Sequence, residues 1–304
     1  MPAPDLAAVR ELRARHPERV AEAAALRRRR PLLGGDGHLL IVAADHPARG
    51  ALGAGPERAA MADRGGLIGR LMTCLERPGV DGVLGTPDVL EDLLLMGALE
   101  DKVAFASMNR GGLQGAAFEL DDRFTAADAE TIASMGWEGG KMLCRIDPRD
   151  PGSLATLESC GRAVTALADR RLPAMVEPFV SGREGDRVRP VLTTEAVVTS
   201  AAIVSGIGAT SAYTWLKLPV VDDMESVMAA TTLPTLLLGG DPSASPDDAF
   251  ARWEAALRLP GVRGMVVGRS LLYPPDGDTR AAADRLAALV HPASEDTALR
   301  TCSP

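Results

Sequence analysis

Lysine is almost absent from this chain. Of 33 basic residues, only Lys102, Lys141 and Lys217 are lysine; the rest are arginine. Aromatic residues are also scarce, 3% against 46% hydrophobic, so the core must be aliphatic, which suits layered α/β packing. The cysteines Cys74, Cys144, Cys160 and Cys302 show no CxxC or metal spacing. Reduced thiols in a cytoplasmic protein are the simplest expectation. The histidines His16, His38, His46 and His291 form no HExxH set, so no zinc site of that kind is expected. No run approaches eighteen uncharged apolar residues, so no membrane span is expected. The charged start lacks the apolar segment of a signal peptide. A net charge of −8 argues against a nucleic-acid-binding face. The one basic run, Arg27 to Arg30, reads as the solvated end of a helix.

What remains is an alternation. Residues 5–30 read as one or two helices rich in Ala, Leu, Arg and Glu, with Pro17 opening the second. The turn Gly34-Gly35-Asp36-Gly37 ends them. Eight apolar runs follow, at 39–44, 82–86, 103–108, 141–146, 173–179, 213–220, 234–240 and 262–268. Helix-like segments come after them, at about 57–77, 87–99, 125–135, 153–170, 194–207, 222–231, 246–259 and 278–290. Helix starts are signalled at Thr86-Pro87, Ser153, Thr193-Thr194 and Ser245-Pro246. Eight strands and eight helices without a composition break predict a (β/α)8 barrel over residues 38–292. An N-terminal helical extension (1–37) precedes it and a C-terminal tail (293–304) follows. A doubly wound open sheet is the competitor, and it gives no reason for a count of eight. The N-terminal helices are expected to cap the barrel bottom or to mediate assembly into a homo-oligomer.

In such a barrel, chemistry sits at the C-terminal strand ends. The sixth run, YTWLKLPV, carries Lys217. Arginine stays protonated, whereas a lysine amine can become a neutral nucleophile and form a Schiff base with a carbonyl. The competing reading is a lysine whose stem packs while its head reaches water. The fourth run carries Lys141 and Arg145 on one face. If that face points inward, both cations need a carboxylate or a bound anion. The fifth ends in Glu177-Pro178, and Pro178 limits further pairing, which leaves Glu177 at a strand end. Glu177 is the natural partner of Lys141 or Lys217, and a neighbouring ammonium favours a neutral amine on the other lysine. The first run ends in Asp45, which either meets substrate or caps a loop. After the third comes MNRGGLQG, where Asn109 and Arg110 could contact an anion. The last two runs end in Gly239-Gly240 and Gly268-Arg269. The loops after strands seven and eight commonly bind phosphate in this fold, with Arg269 as a bidentate clamp; tight turns are the competing reading.

Taken in order, this pattern resembles the class I aldolases of the deoxyribose-phosphate, archaeal-type fructose-bisphosphate and tagatose-bisphosphate superfamily. The segments KMLCRIDPRD, MVEPF and WLKLPV are similar to the tagatose-bisphosphate branch. FELDDRFT and GGKMLCRIDPRD look still more like an actinobacterial aldolase-like family associated with inositol catabolism. The likeness covers about residues 36–290. It implies a Schiff base on Lys217, proton transfer by Glu177 and Lys141, and Asp45 on substrate hydroxyls. It also implies phosphate held by Gly239, Gly240, Gly268 and Arg269; Asn109, from its loop, and Arg145, from the face it shares with Lys141, are expected as further substrate contacts. Neither a cofactor nor a metal is implied, and the partner is a phosphorylated small molecule. Three departures concern substrate: Leu218-Pro219 follows the lysine where the tagatose branch has an acid, the loop after the third run is unlike that branch, and Arg145 replaces an aromatic. A nucleophile at Lys141, or a phosphosugar-binding barrel without turnover, stay open as alternatives.

Overall fold

Strands covered by helices on their outer side and by each other inside must be apolar on both faces, and the eight runs are. The computed structural model describes residues 5–185, 187–240 and 246–292. The tail expected at 293–304 lies outside them. The barrel strands are β1 (Leu39–Ala43), β2 (Gly82–Gly85), β3 (Val103–Ser107), β4 (Gly139–Ile146) and β5 (Ala174–Glu184), then β7 (Thr214–Leu218), β8 (Thr235–Leu238) and β9 (Val262–Val267). Each pairs in parallel with its neighbours; β9 returns to β1 and β4 meets β5, so eight strands close into a (β/α)8 barrel. Between β5 and β7 lies β6 (Arg187–Pro190), which runs antiparallel to the outer end of β5.

Period two sorts the side chains. Leu39, Ile41 and Ala43 point into the barrel with Phe105, Met175 and Val266, while Leu40 and Val42 pack against the helices. Leu32 and Leu33, just ahead of β1, pack on the inner cluster. Emptying one large inner position, as in Phe105→Ala, should cost about 3–5 kcal/mol.

Around the strands run α3 (Arg64–Leu75), α4 (Pro87–Leu95), α5 (Ala129–Ser134), α6 (Gly152–Ala168), α7 (Thr194–Ser205), α8 (Met224–Ala229), α9 (Pro246–Leu257) and α11 (Thr279–Val290). Several begin on a side-chain cap, among them Asp63, Asp128, Thr193, Asp223 and Asp278. The helix expected from 57 starts only at Arg64, where Asp63 accepts from the amides of Gly65 and Gly66. A short extra helix, α10 (Arg269–Leu272), follows β9. Among the described residues no helix is long and apolar enough to cross a membrane.

Two expectations are corrected. Strand β5 does not stop at Pro178; it pairs there with Cys144 of β4 and continues to Glu184. The Ala174 amide donates to Tyr213 of the β7 side, so by period two the nitrogen of Pro178 faces that side as well. Pairing there ends at Val176 with Leu216, and the missing N–H forfeits no ladder bond. The arginine run, a strap beneath the barrel, is a solvated helix end only at Arg28 and Arg29, which are exposed; Arg27 is buried and Arg30 half-buried. It follows α1 (Leu6–Arg15) and α2 (Arg19–Leu26). Arg27 is buried, lies over the Trp137 ring and donates to Glu138 at 2.9 Å. Arg29 reaches the same carboxylate at 2.8 Å, Arg30 meets Asp81, and Arg28 meets Asp101.

Candidate active site

The inward parity that fills the barrel also places its polar residues. Two positions beyond inward Ala43 stands Asp45; beyond Phe105, Ser107; beyond Met175, Glu177; beyond Trp215, Lys217. Lys141 joins them, in register with Ser107. At this level the barrel stops being apolar, and five strands deliver buried polar side chains to one place.

Glu177 lies between the two lysines. Its Oε1 is 2.7 Å from Lys217 Nζ and its Oε2 2.5 Å from Lys141 Nζ. Lys141 also donates to Asp45 Oδ2 at 3.1 Å. That oxygen further accepts from Ser107 Oγ at 3.0 Å and lies 2.8 Å from a terminal nitrogen of Arg110. Burial alone would raise the proton affinity of both carboxyls. For Glu177 the lysines outweigh it and hold the group at about 2. For Asp45, Arg110 and Lys141 outweigh it and hold the carboxyl well below its usual range. Burial acts the other way on Lys141, lowering its affinity more than Asp45 and Glu177 restore. The arrangement is two ionised carboxylates and two amines, with a carboxylate bridging the amines.

These residues open into a cavity of about 320 Å³, which also takes in Gly239, Gly240, Gly268 and Arg269 from beyond β8 and β9. Four strands round the barrel from β9, Leu143 of β4 lines the opposite side. Phe179 and Leu192, from the β5–β6 hairpin and the segment after it, stand beside it. The glycines have separate reasons. A Cβ on Gly239 would stand 2.6 Å from Val267 Cγ1. Gly240 has φ +68°, where a side chain is strained. A Cβ on Gly268 would stand 2.8 Å from His46 Cε1.

Thus Asp45, Lys141, Glu177, Lys217, Gly239, Gly240, Gly268 and Arg269 come together. Asn109 and Arg145 do not join them. Asn109 is fully buried and binds the backbone of Leu143 twice, accepting at 2.8 Å and donating at 2.6 Å. Arg145, past the inward turn of Lys141 and Leu143, donates to Glu119 and to the Gly112 carbonyl. Both brace the loop after β3 instead of lining the cavity. Arg110, expected to meet an anion, meets Asp45: it donates to the Asp45 carbonyl at 2.8 Å as well as facing its carboxylate. Sequence reasoning passed over His46, Ser107 and Arg49. Ser107 was findable, as the one polar residue, of inward parity, in the run VAFASM. Arg49, which binds Asn109 and Gly112 carbonyls and Asp122, lies in a single 3-10 turn, Pro47–Arg49, too short to show a period. Among the described residues no group of three His, Cys, Asp or Glu side chains is placed to hold a metal ion.

A family model described as Cgl0159-like matches residues 37–287. The crystal structure of Cgl0159 from Corynebacterium glutamicum is 53% identical, with a TM-score of 0.92, over 94% of this chain and 96% of that one. A Schiff base-forming fructose-1,6-bisphosphate aldolase is 21% identical, with a TM-score of 0.63, over 90% of this chain and 100% of that one. An archaeal fructose-1,6-bisphosphate aldolase, solved with its catalytic lysine bound to the carbinolamine intermediate, is 20% identical, with a TM-score of 0.62, over 89% and 99%. At those identities the two aldolases establish the shared barrel fold. No curated protein matches the chain. With the family model spanning nearly the whole barrel and a relative alike in more than half its residues, the chain belongs to the Cgl0159-like family.

Proposed function

We propose that the protein is a class I, Schiff-base aldolase that cleaves a phosphorylated ketose or deoxy-keto sugar acid. The observation that carries this reading is the carboxylate of Glu177 bridging Lys141 and Lys217 at the mouth of the barrel. The aldolase neighbours share the fold, and one of them carries its intermediate on a lysine.

Lys217 Nζ attacks the substrate carbonyl carbon, and the carbinolamine formed loses water to give an iminium. The carbon–carbon bond then breaks, its electron pair moving toward the iminium nitrogen to leave an enamine and a free carbonyl fragment. The 2.7 Å contact gives the Lys217 proton a path to Glu177, and the 2.5 Å contact leads on to Lys141. The lowered proton affinity of Lys141 fits it to pass a proton on. Arg49, Arg110, Lys141, Lys217 and Arg269 line the cavity against Asp45 and Glu177, an excess of positive charge that suits an anionic ligand. Gly239, Gly240, Gly268 and Arg269 would take the phosphate. A sugar acid of the kind met in inositol breakdown has the charge this cavity favours.

A second reading puts the Schiff base on Lys141, favoured by its burial. The first test is borohydride reduction with dihydroxyacetone phosphate or fructose 1,6-bisphosphate, read by intact mass. A stable adduct formed only with borohydride is the expected result. Binding without an adduct would make this a phosphosugar-binding barrel without turnover.

A further inference from the structure

We infer that His46 is a catalytic residue: its imidazole takes the proton of the substrate hydroxyl whose oxygen becomes the carbonyl of the released fragment, and Asp45 Oδ1 steadies the imidazolium. This rests on the Schiff-base reading above. Both carboxylates of the site are already engaged. Glu177 gives one oxygen to each lysine. Asp45 gives Oδ2 to Ser107, Lys141 and Arg110 and turns Oδ1 toward His46, with Nδ1 3.8 Å away. His46 lines the cavity, and its Nδ1 is buried without a hydrogen-bond partner among the described residues. A small rotation of the ring closes that gap. Nδ1–H then faces the carboxylate, and Nε2 presents its lone pair to the ligand.

The ring has space made for it. Gly268 stands at φ −111°, ψ −100°, outside the regions that residues with a Cβ favour, and a Cβ there would stand 2.8 Å from His46 Cε1 and 3.0 Å from the Ala43 carbonyl. Glycine at 268 serves the turn and the approach to β1, and it also leaves room for the imidazole. Burial, with Arg269, Lys217 and Lys141 nearby, outweighs Asp45 and holds the ring neutral, at about 3. It thus has a lone pair free at neutral pH. An anionic substrate among those cations offsets their effect on the ring.

In the cleavage step the O–H bond gives its proton to Nε2, and its electron pair forms the new C=O bond. The carbon–carbon pair moves into the enamine, and the iminium nitrogen becomes neutral. The imidazolium loses its proton when the enamine carbon is protonated, which restores the iminium for hydrolysis. Aldol addition uses the same group in reverse.

The experiment compares wild type, His46→Gln and His46→Ala in two assays. One is borohydride trapping of dihydroxyacetone phosphate; the other is its aldol addition to glycolaldehyde. His46→Gln should trap within a few-fold of wild type, while its addition rate falls by about 10²–10⁴-fold. Added imidazole should restore addition to His46→Ala. Addition at the wild-type rate by His46→Gln, or trapping lost in step with addition, would overturn the role of His46 and leave the Schiff base standing. A wild type that neither traps nor adds would overturn the functional reading itself, and this one with it.

Discussion

Lys217 Nζ stands 2.7 Å from Glu177 Oε1, and the other oxygen of the same carboxylate is 2.5 Å from Lys141 Nζ. One buried anion therefore serves two buried cations. Glu177→Gln leaves both ammoniums facing a neutral amide, and breaking a buried pair in this way costs about 3–5 kcal/mol. A lower Tm is expected, with turnover reduced about 10²-fold or more. The pH dependence has a definite sign. Glu177 is held at about 2, against an ordinary 4.5, so its contribution is complete above the ordinary value and lost as pH falls through about 2. Denaturant midpoints should fall more steeply in wild type than in Glu177→Gln as pH is lowered from 6 to 3. Parallel profiles would remove the charge from Glu177.

The other end of the barrel titrates the opposite way. His291 Nδ1 is 2.5 Å from Asp36 and its Nε2 3.0 Å from Asp81. The bond to Asp81 is the main cause that raises the imidazole to about 9, from an ordinary 6.5. This contribution is complete below the ordinary value and lost as pH rises through about 9. The stability difference between wild type and His291→Gln should shrink from pH 6 to pH 9.5. A constant difference would mean that His291 packs without being charged.

Arg269 follows Gly268 at the end of β9 and lines the cavity. Arg269→Ala should weaken binding of phosphorylated substrate by about 1.5–3 kcal/mol, the worth of a charge-assisted bond, or roughly 10–150-fold in KM. Equal KM values with phosphorylated substrate would take Arg269 out of the site.

The legible part of this protein is the part that obeys a period. Parallel strands buried on both faces read as unbroken apolar runs, so all eight were visible. A charged residue inside such a run or at its end stands out, as Asp45, Lys141, Glu177 and Lys217 do. Period two carried Lys141 inward correctly and failed for Arg145 on the same strand, because β4 rises past the barrel there and the loop after β3 supplies Glu119. The β5–β6 hairpin was hidden by Pro178, whose effect depends on which side of β5 has a partner. Arg28 and Arg29 are exposed, as the run suggests, whereas Arg27 and Arg30 turn inward to Glu138 and Asp81, which are distant in sequence.

That strap makes a stability prediction. Glu138 accepts from Arg27, Arg29 and the Ala104 amide. Glu138→Ala leaves the buried Arg27 without its carboxylate, facing only the carbonyls of Lys102 and Gly136, at a cost of about 3–5 kcal/mol. The loss should appear in the denaturant midpoint of a variant that still binds substrate in the native state. A change under about 0.5 kcal/mol, the range of ordinary surface substitutions, would show that the strap is not holding the barrel.

The most direct measurement locates the lysine. Wild type, Lys217→Arg and Lys141→Arg are each reduced with borohydride in the presence of dihydroxyacetone phosphate, digested and mapped by mass spectrometry, with circular dichroism confirming the fold. The adduct should fall on Lys217 in wild type, vanish in Lys217→Arg and persist on Lys217, weakened, in Lys141→Arg. An adduct on Lys141 that survives in Lys217→Arg would contradict the assignment and move the nucleophile to β4.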